Sequence, residues 1–230
     1  MPDPSLIRRR EQDVERPSRR IFLPLSVTLL VLFLVFFPLW EAKPQPCVVL
    51  LGDSITSLWQ GLAGQLSGLR VINRGVPGDV TSHMRSRFER DVLALRPRVV
   101  VILGGINDLE RVPLASIEQN LEAMAEQAER HGIRVVLATV PPAGEHHPDG
   151  PEDPDHGQIQ ALNRRIESLA ERKRYTLVDY HSVLSDHRGY YLPNLSRDGV
   201  HPSLEGYERM EHLLREALEA ALSEKPRRIG

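Results

Sequence analysis

The sequence predicts an α/β fold, a three-layer α/β/α sandwich around a central, mostly parallel five-stranded sheet. Two observations predict it. Five short apolar, β-branched runs recur between residues 47 and 178, and segments of helical periodicity separate them. The third run, Val99–Leu103, contains no polar residue, which is the pattern of a strand buried on both faces. Such β-α alternation argues a parallel sheet covered by helices on both sides, with right-handed crossovers.

The chain has 230 residues and a formal charge of −2, which favours one catalytic-sized domain and gives no basic surface for nucleic acid. Its single cysteine, Cys47, excludes an intramolecular disulfide and a cysteine-based zinc site. Residues 1–20 form a basic tail with Arg8, Arg9, Arg10, Arg16, Arg19 and Arg20. Residues 21–40 carry no charge and end in Trp40. A helix of that length spans about 30 Å, the thickness of a bilayer core. Only Lys43 follows closely, so the charge asymmetry puts the N-terminus in the cytoplasm and the rest on the outer, periplasmic or extracellular, side. A cleaved signal peptide is the alternative, but the apolar run is long for one and Trp40-Glu41-Ala42 is a poor cleavage site. Residues 41–46 make a short linker stiffened by Pro44 and Pro46. The domain is expected over 47–222, followed by a tail over 223–230.

Within the domain, strands are expected at 47–52, 71–73, 99–103, 135–140 and 175–178. Helices are expected at 81–95, with Met84, Phe88 and Val92 on one face, and at 117–130, with Leu121, Met124 and Ala128. Two more follow at 159–172, with Leu162, Ile166 and Leu169, and at 204–222, with Tyr207, Met210, Leu213, Leu214 and Leu218.

In a parallel sheet the segments after each strand gather at one edge, where ligands bind. Here those segments hold Gly52-Asp53-Ser54, then Asn73 to Asp79 with Gly75 and Gly78, then Gly104-Gly105-Ile106-Asn107-Asp108, and lastly Asp198-Gly199-Val200-His201. Nucleophilic catalysis needs a hydroxyl, a base to take its proton and a group to orient the base. Ser54, His201 and Asp198 supply these three types. An oxyanion needs fixed donors, and the Ser54 N–H, the Gly78 N–H and the Asn107 side-chain amide are available, with Gly75 competing for the place of Gly78. Pro202 suits the first turn of the final helix.

These four blocks, in type, order and position, resemble the GDSL-type, or SGNH, hydrolases over about residues 47–221. The resemblance implies a flavodoxin-like sandwich and a carboxylic ester hydrolase working through an acyl-enzyme, without metal or cofactor. It implies Ser54 as nucleophile and oxyanion donor, Gly78 and Asn107 as further donors, His201 as general base and acid, and Asp198 as its orienting group. The expected substrate is an O-acylated carbohydrate or another small ester. A lysophospholipase-like hydrolase and an O-acyltransferase using the same triad remain open, and a non-catalytic binding domain is the remote alternative.

The remaining polar clusters are weaker. Glu145, His146, His147, Asp153, Asp155 and His156 lack helical metal-ligand spacing and read as a solvated loop at the active edge. Pocket lining and surface placement both stay open for His181, His187, Tyr190 and Tyr191. Asp53 is expected to bond the neighbouring loop backbone, Asp79 to act as a turn or cap residue before the helix at 81, and Asp108 to be structural. His83, His131 and His212 carry no expected role.

Overall fold

The computed structural model describes residues 48–59, 69–109, 111–144 and 156–223. The expected tail 1–20, apolar span 21–40, linker 41–46, Cys47, the polar loop at 145–155 and the residues from 224 lie outside the described residues. Among the described residues no helix is long and apolar enough to cross a membrane.

Five strands form one all-parallel sheet: β1 Val48–Gly52, β2 Val71–Gly75, β3 Val99–Leu103, β4 Arg134–Ala138 and β5 Thr176–Val178, in the order β2-β1-β3-β4-β5. The helices are α1 Ser54–Ser57, α2 Thr81–Ser86, α3 Phe88–Asp91, α4 Leu114–Arg130, α5 His156–Lys173, α6 Tyr180–Leu184 and α7 Leu204–Ser223, with 3-10 turns at Leu93–Leu95 and Ile106–Asp108. Every residue of β1 and β3 is buried, so both faces of the sheet are covered. Helices α2, α4 and α5 pack on one another as one layer, and α6 and α7 pack on one another as the second.

The predicted helix faces are the buried ones: Leu121, Met124 and Ala128 on α4, Leu162, Ile166 and Leu169 on α5, and Tyr207, Met210, Leu214 and Leu218 on α7. Leu213 is only partly buried. The helix expected over 81–95 is instead three short pieces. Met84, Phe88 and Val92 still reach the core, but the backbone leaves helical geometry at Arg87 (φ −100°, ψ 2°) and at Val92 (φ −122°, ψ −63°). Pattern survives there because the buried face is kept while the axis turns. The short α6 carries no sequence period long enough to read, and its start is set by Asp179, whose carboxylate accepts the Ser182 N–H at 3.2 Å.

The strand order reverses between β1 and β3, the first of which pairs outward to β2 and the other toward β4. Ligand crevices in such sheets form beyond the carboxyl ends of the strands at this switch point. In the parallel register Gly52 lies beside Gly75 on one side and Leu103 on the other, so the three following loops leave the sheet level with one another.

Beyond β4 the backbone is held by a side chain. Asn163 of α5 is 5% exposed, donates to the Val140 carbonyl at 2.9 Å and accepts the Val140 N–H at 2.8 Å. Replacing it leaves both buried backbone groups unpaired. Asn163→Leu should therefore lower stability by about 2–4 kcal/mol, read as a lower urea midpoint at unchanged slope. A midpoint equal to that of the wild type would show that Val140 finds other partners.

Candidate active site

Gly52 ends β1, Asp53 is the N-cap and Ser54 is the first residue of α1, so the serine expected in a loop stands instead in a helical first turn. Asp53 accepts the Ile55 N–H at 2.9 Å, which turns the chain sharply out of the strand. Helix α1 sits directly on the end of β2. A Cβ on Gly75 would lie 2.2 Å from the Ser57 nitrogen, so only glycine fits this approach. Asn73 fastens the same contact, donating to the Thr56 carbonyl at 2.6 Å and accepting the Gly75 N–H at 2.8 Å. The Gly75 N–H is thereby spent. Gly78, at φ +78°, has no hydrogen-bond partner for its N–H among the described residues, and neither does Ser54.

After β3 the turn at Ile106–Asp108 presents Asn107, whose side-chain nitrogen donates to the Asp79 carbonyl at 2.9 Å and keeps a second hydrogen. Asp108 is buried and structural. Its carboxylate accepts the Thr81 N–H at 2.9 Å and the Thr81 hydroxyl at 2.6 Å, and so caps α2 from across the site. The cap expected of Asp79 is thus made by Asp108, while Asp79 pairs with Arg87 at 2.6 Å.

The fourth block closes the arrangement. His201 Nε2 is 2.9 Å from Ser54 Oγ, across 147 positions of chain, and His201 Nδ1 is 2.7 Å from Asp198 Oδ2. With Asp198 ionised, Nδ1–H donates to it and Nε2 is left to accept the Ser54 hydroxyl proton. Partial burial acts to raise the Asp198 carboxyl, but the His201 N–H, its ring N–H and the Val200 N–H together hold it below the usual carboxylate range. The loop is braced from behind. Ser196 donates its hydroxyl to the His201 carbonyl at 3.0 Å, Tyr191 donates to the Val200 carbonyl at 3.1 Å, and Gly144 N–H donates to the Gly199 carbonyl at 2.7 Å. Pro202 lies two residues ahead of α7, not in its first turn. Tyr207 of α7 reaches back and donates to the Ile55 carbonyl at 2.8 Å, joining the final helix to the helix of Ser54.

The structure therefore brings Ser54, Gly78, Asn107, Asp198 and His201 to one edge. Tyr191 stands behind the histidine loop, and Tyr190 is stacked on His156 with a ring separation of 4.5 Å. Sequence reasoning gave no role to Arg87 or Ser196, and gave Tyr207 only a place on the buried face of the last helix. Among the described residues no group of three or more histidine, cysteine, aspartate or glutamate side chains is placed to hold a metal ion.

Known proteins resemble this chain in sequence and in fold. The model of the GDSL-like Lipase/Acylhydrolase family matches residues 50–209. The chain is 27% identical over 166 residues to an acetylxylan esterase of Geobacillus stearothermophilus, covering 66% of this chain and 73% of that one. It is 26% identical over 186 residues to the esterase TesA of Pseudomonas aeruginosa, covering 74% and 86% respectively. The crystal structure of a GDSL-like lipase from Bacteroides thetaiotaomicron superposes with a TM-score of 0.69 at 31% identity, over 82% of this chain and 98% of that one.

Asp53 stands apart electrostatically. It is fully buried, its Oδ2 has no partner among the described residues, and burial pushes its carboxyl up to about 7, opposed by the Ile55 N–H and by His201. The folded protein then keeps a proton that the unfolded chain releases near pH 4. Stability carried by this group is therefore present at low pH and lost as pH rises from about 4 to 7. Asp53→Asn should remove that slope, seen as a melting temperature that rises relative to wild type as pH goes from about 4 to 7. Parallel pH profiles for the two proteins would contradict the assignment.

Proposed function

The chain belongs to the GDSL-like lipase/acylhydrolase family, and on that footing we propose that this carboxylic ester hydrolase works through an acyl-enzyme on Ser54. The single observation that carries the reading is the line of 2.9 Å and 2.7 Å contacts from Ser54 through His201 to Asp198. His201 takes the hydroxyl proton as Oγ attacks the ester carbonyl. The oxyanion that forms is held by the Ser54 N–H, the Gly78 N–H and the free amide hydrogen of Asn107. His201 then gives its proton to the leaving alcohol and next activates the water that releases the acid.

The proposed substrate is an O-acetylated or similarly small ester of a bulky alcohol such as a carbohydrate. Two observations support it. The Asp198 and His201 side chains are 47% and 26% exposed, so a large alcohol can reach the base from solvent. One relative is by name an acetylxylan esterase. A longer acyl chain, as in a lysophospholipid, is favoured instead by exposed apolar side chains close in sequence to the site: Leu58, Val76 and Leu204. We further propose that residues 21–40 anchor the chain in a membrane with the hydrolase on its outer side. Their uncharged length and the arginines before them support this.

Assay of the full chain on nitrophenyl esters from acetyl to long acyl, beside Ser54→Ala, tests the chemistry. The variant should lose about 10⁴-fold or more in kcat, and the wild type should turn over the acetyl ester fastest. An optimum at long acyl chains would move the lipid reading to the front, and a variant as active as wild type would end the acyl-enzyme reading. Asp198→Asn, which leaves His201 in the wrong tautomer, should cost about 10⁴-fold in kcat with little change in folding. Anchoring predicts that alkaline carbonate leaves the chain in the membrane pellet, and release into the supernatant would refute it.

A further inference from the structure

Arg87 is the least exposed arginine of the ion pairs near the site, with a side chain 9% exposed, and it stands where the 81–91 helix breaks. Its guanidinium uses four of its five N–H donors. Nε donates to Asp79 Oδ2 at 2.6 Å, and Nη1 donates to the Arg74 carbonyl and to Asp91 Oδ2, each at 2.9 Å. Nη2 donates to the Gly52 carbonyl at 2.9 Å. None of these partners is itself a candidate reacting group, yet Gly52, Arg74 and Asp79 each stand next to one or lead to one.

Gly52 precedes Asp53-Ser54, and its carbonyl also accepts the Val76 N–H at 3.0 Å. Arg74 is the penultimate residue of β2, the strand that leads to Gly78. Asp79 follows Gly78 directly, and its own carbonyl accepts the Asn107 amide at 2.9 Å. One rigid fork therefore touches the two backbone segments that carry Ser54 and Gly78, and Asp79 links the second of them to the Asn107 amide. We propose that Arg87 is a positioning residue that sets the relative placement of the three oxyanion donors. This rests on the esterase reading of the Ser54 site.

Geometry and charge both suit the task. A planar guanidinium fixes directions that the point charge of a lysine cannot. Two carboxylates, Asp79 and Asp91, flank it, and the exposed Arg90 sits on the outer side of Asp91 at 2.9 Å. The Arg90 guanidinium foremost, and Arg87 with it, holds the Asp91 carboxyl at about 2. The fork is thus kept in place by a permanent ionic partner on its far side. Oxyanion stabilisation depends on donors fixed before charge develops, and a displacement near 1 Å costs about 10²-fold in rate.

The test uses the full chain with Arg87→Lys, Asp79→Asn, their combination, Ser54→Ala and the exposed control Arg130→Gln on α4. Arg87→Lys and Asp79→Asn should each lower kcat by about 10²-fold while KM stays within about threefold, because the substrate is bound as before and only the transition state loses its donors. The double variant should be no worse than the poorer single variant, as expected for one shared device. The pH profile of the residual activity should keep its shape, since the Asp198–His201 pair is untouched, and binding of an alkylboronic acid, which makes a tetrahedral adduct on serine, should weaken in step with kcat. Arg130→Gln should keep wild-type kcat and KM. Circular dichroism at the assay temperature fixes the folded fraction of each variant. Wild-type kcat per folded molecule in both Arg87→Lys and Asp79→Asn would overturn the proposal. So would additive losses, or a boronate affinity that stays constant while kcat falls. If the wild type shows no ester hydrolysis that Ser54→Ala removes, the esterase reading itself fails, which is a distinct outcome from an active wild type with an active Arg87→Lys.

Discussion

Everything at the active edge depends on the parallel pairing of β1 with a neighbour on each side. Parallel ladders bring strand ends of one sense together, and here Gly52 is level with Gly75 and Leu103. The loops that follow cannot diverge, because their backbones then touch. Ser57 lies against Gly75, and a Cβ on Gly52 would fall 2.7 Å from the Leu103 carbonyl. The hydrophobic cover on both faces fixes the sheet, the sheet fixes the three loop origins, and short polar contacts then set the side chains. The chemistry is inherited from the register.

The two acidic residues beside the reacting groups show how little the residue type decides. Asp198 accepts three hydrogen bonds on a partly solvated loop and stays ionised below its ordinary range. Asp53, one residue from Ser54, accepts one backbone N–H inside the protein and is pushed toward the neutral form. The number of donors aimed at the carboxylate and the access of water separate them. An orienting group for an imidazole that becomes positive must be charged, and a cap buried under the nucleophile helix need not be.

Much of this was legible in the sequence. Val99–Leu103 told of a doubly covered strand because burial on both faces leaves no place for a polar residue. Ser54, Gly78, Asn107, Asp198 and His201 could be gathered because each follows a strand, and strand ends of a parallel sheet share an edge. Arg87 could not be found that way. Along the chain it is an arginine between a serine and a phenylalanine in an amphipathic segment, and its meaning lies in carbonyls 13 and 35 residues upstream. The helix break at Arg87 was hidden for a related reason, since Met84, Phe88 and Val92 keep the spacing of an unbroken helix. The competition between Gly75 and Gly78 was undecidable until Asn73 was seen to occupy the Gly75 N–H. Local pattern reports which face is buried, and long-range hydrogen bonding reports only in three dimensions.

The separation of Ser54 from His201 by 147 positions has a consequence for synthesis. A chain growing from its N-terminus completes the nucleophile helix and the oxyanion loops long before the base exists. In the proposed mechanism Ser54 then has no group to take its proton, and the half-built molecule is chemically silent. Activity begins only when the last loop docks and α7 follows, with Tyr207 binding the Ile55 carbonyl. Ester cleavage by this chain is thus a sign that the loop of Asp198 and His201 has been made and folded.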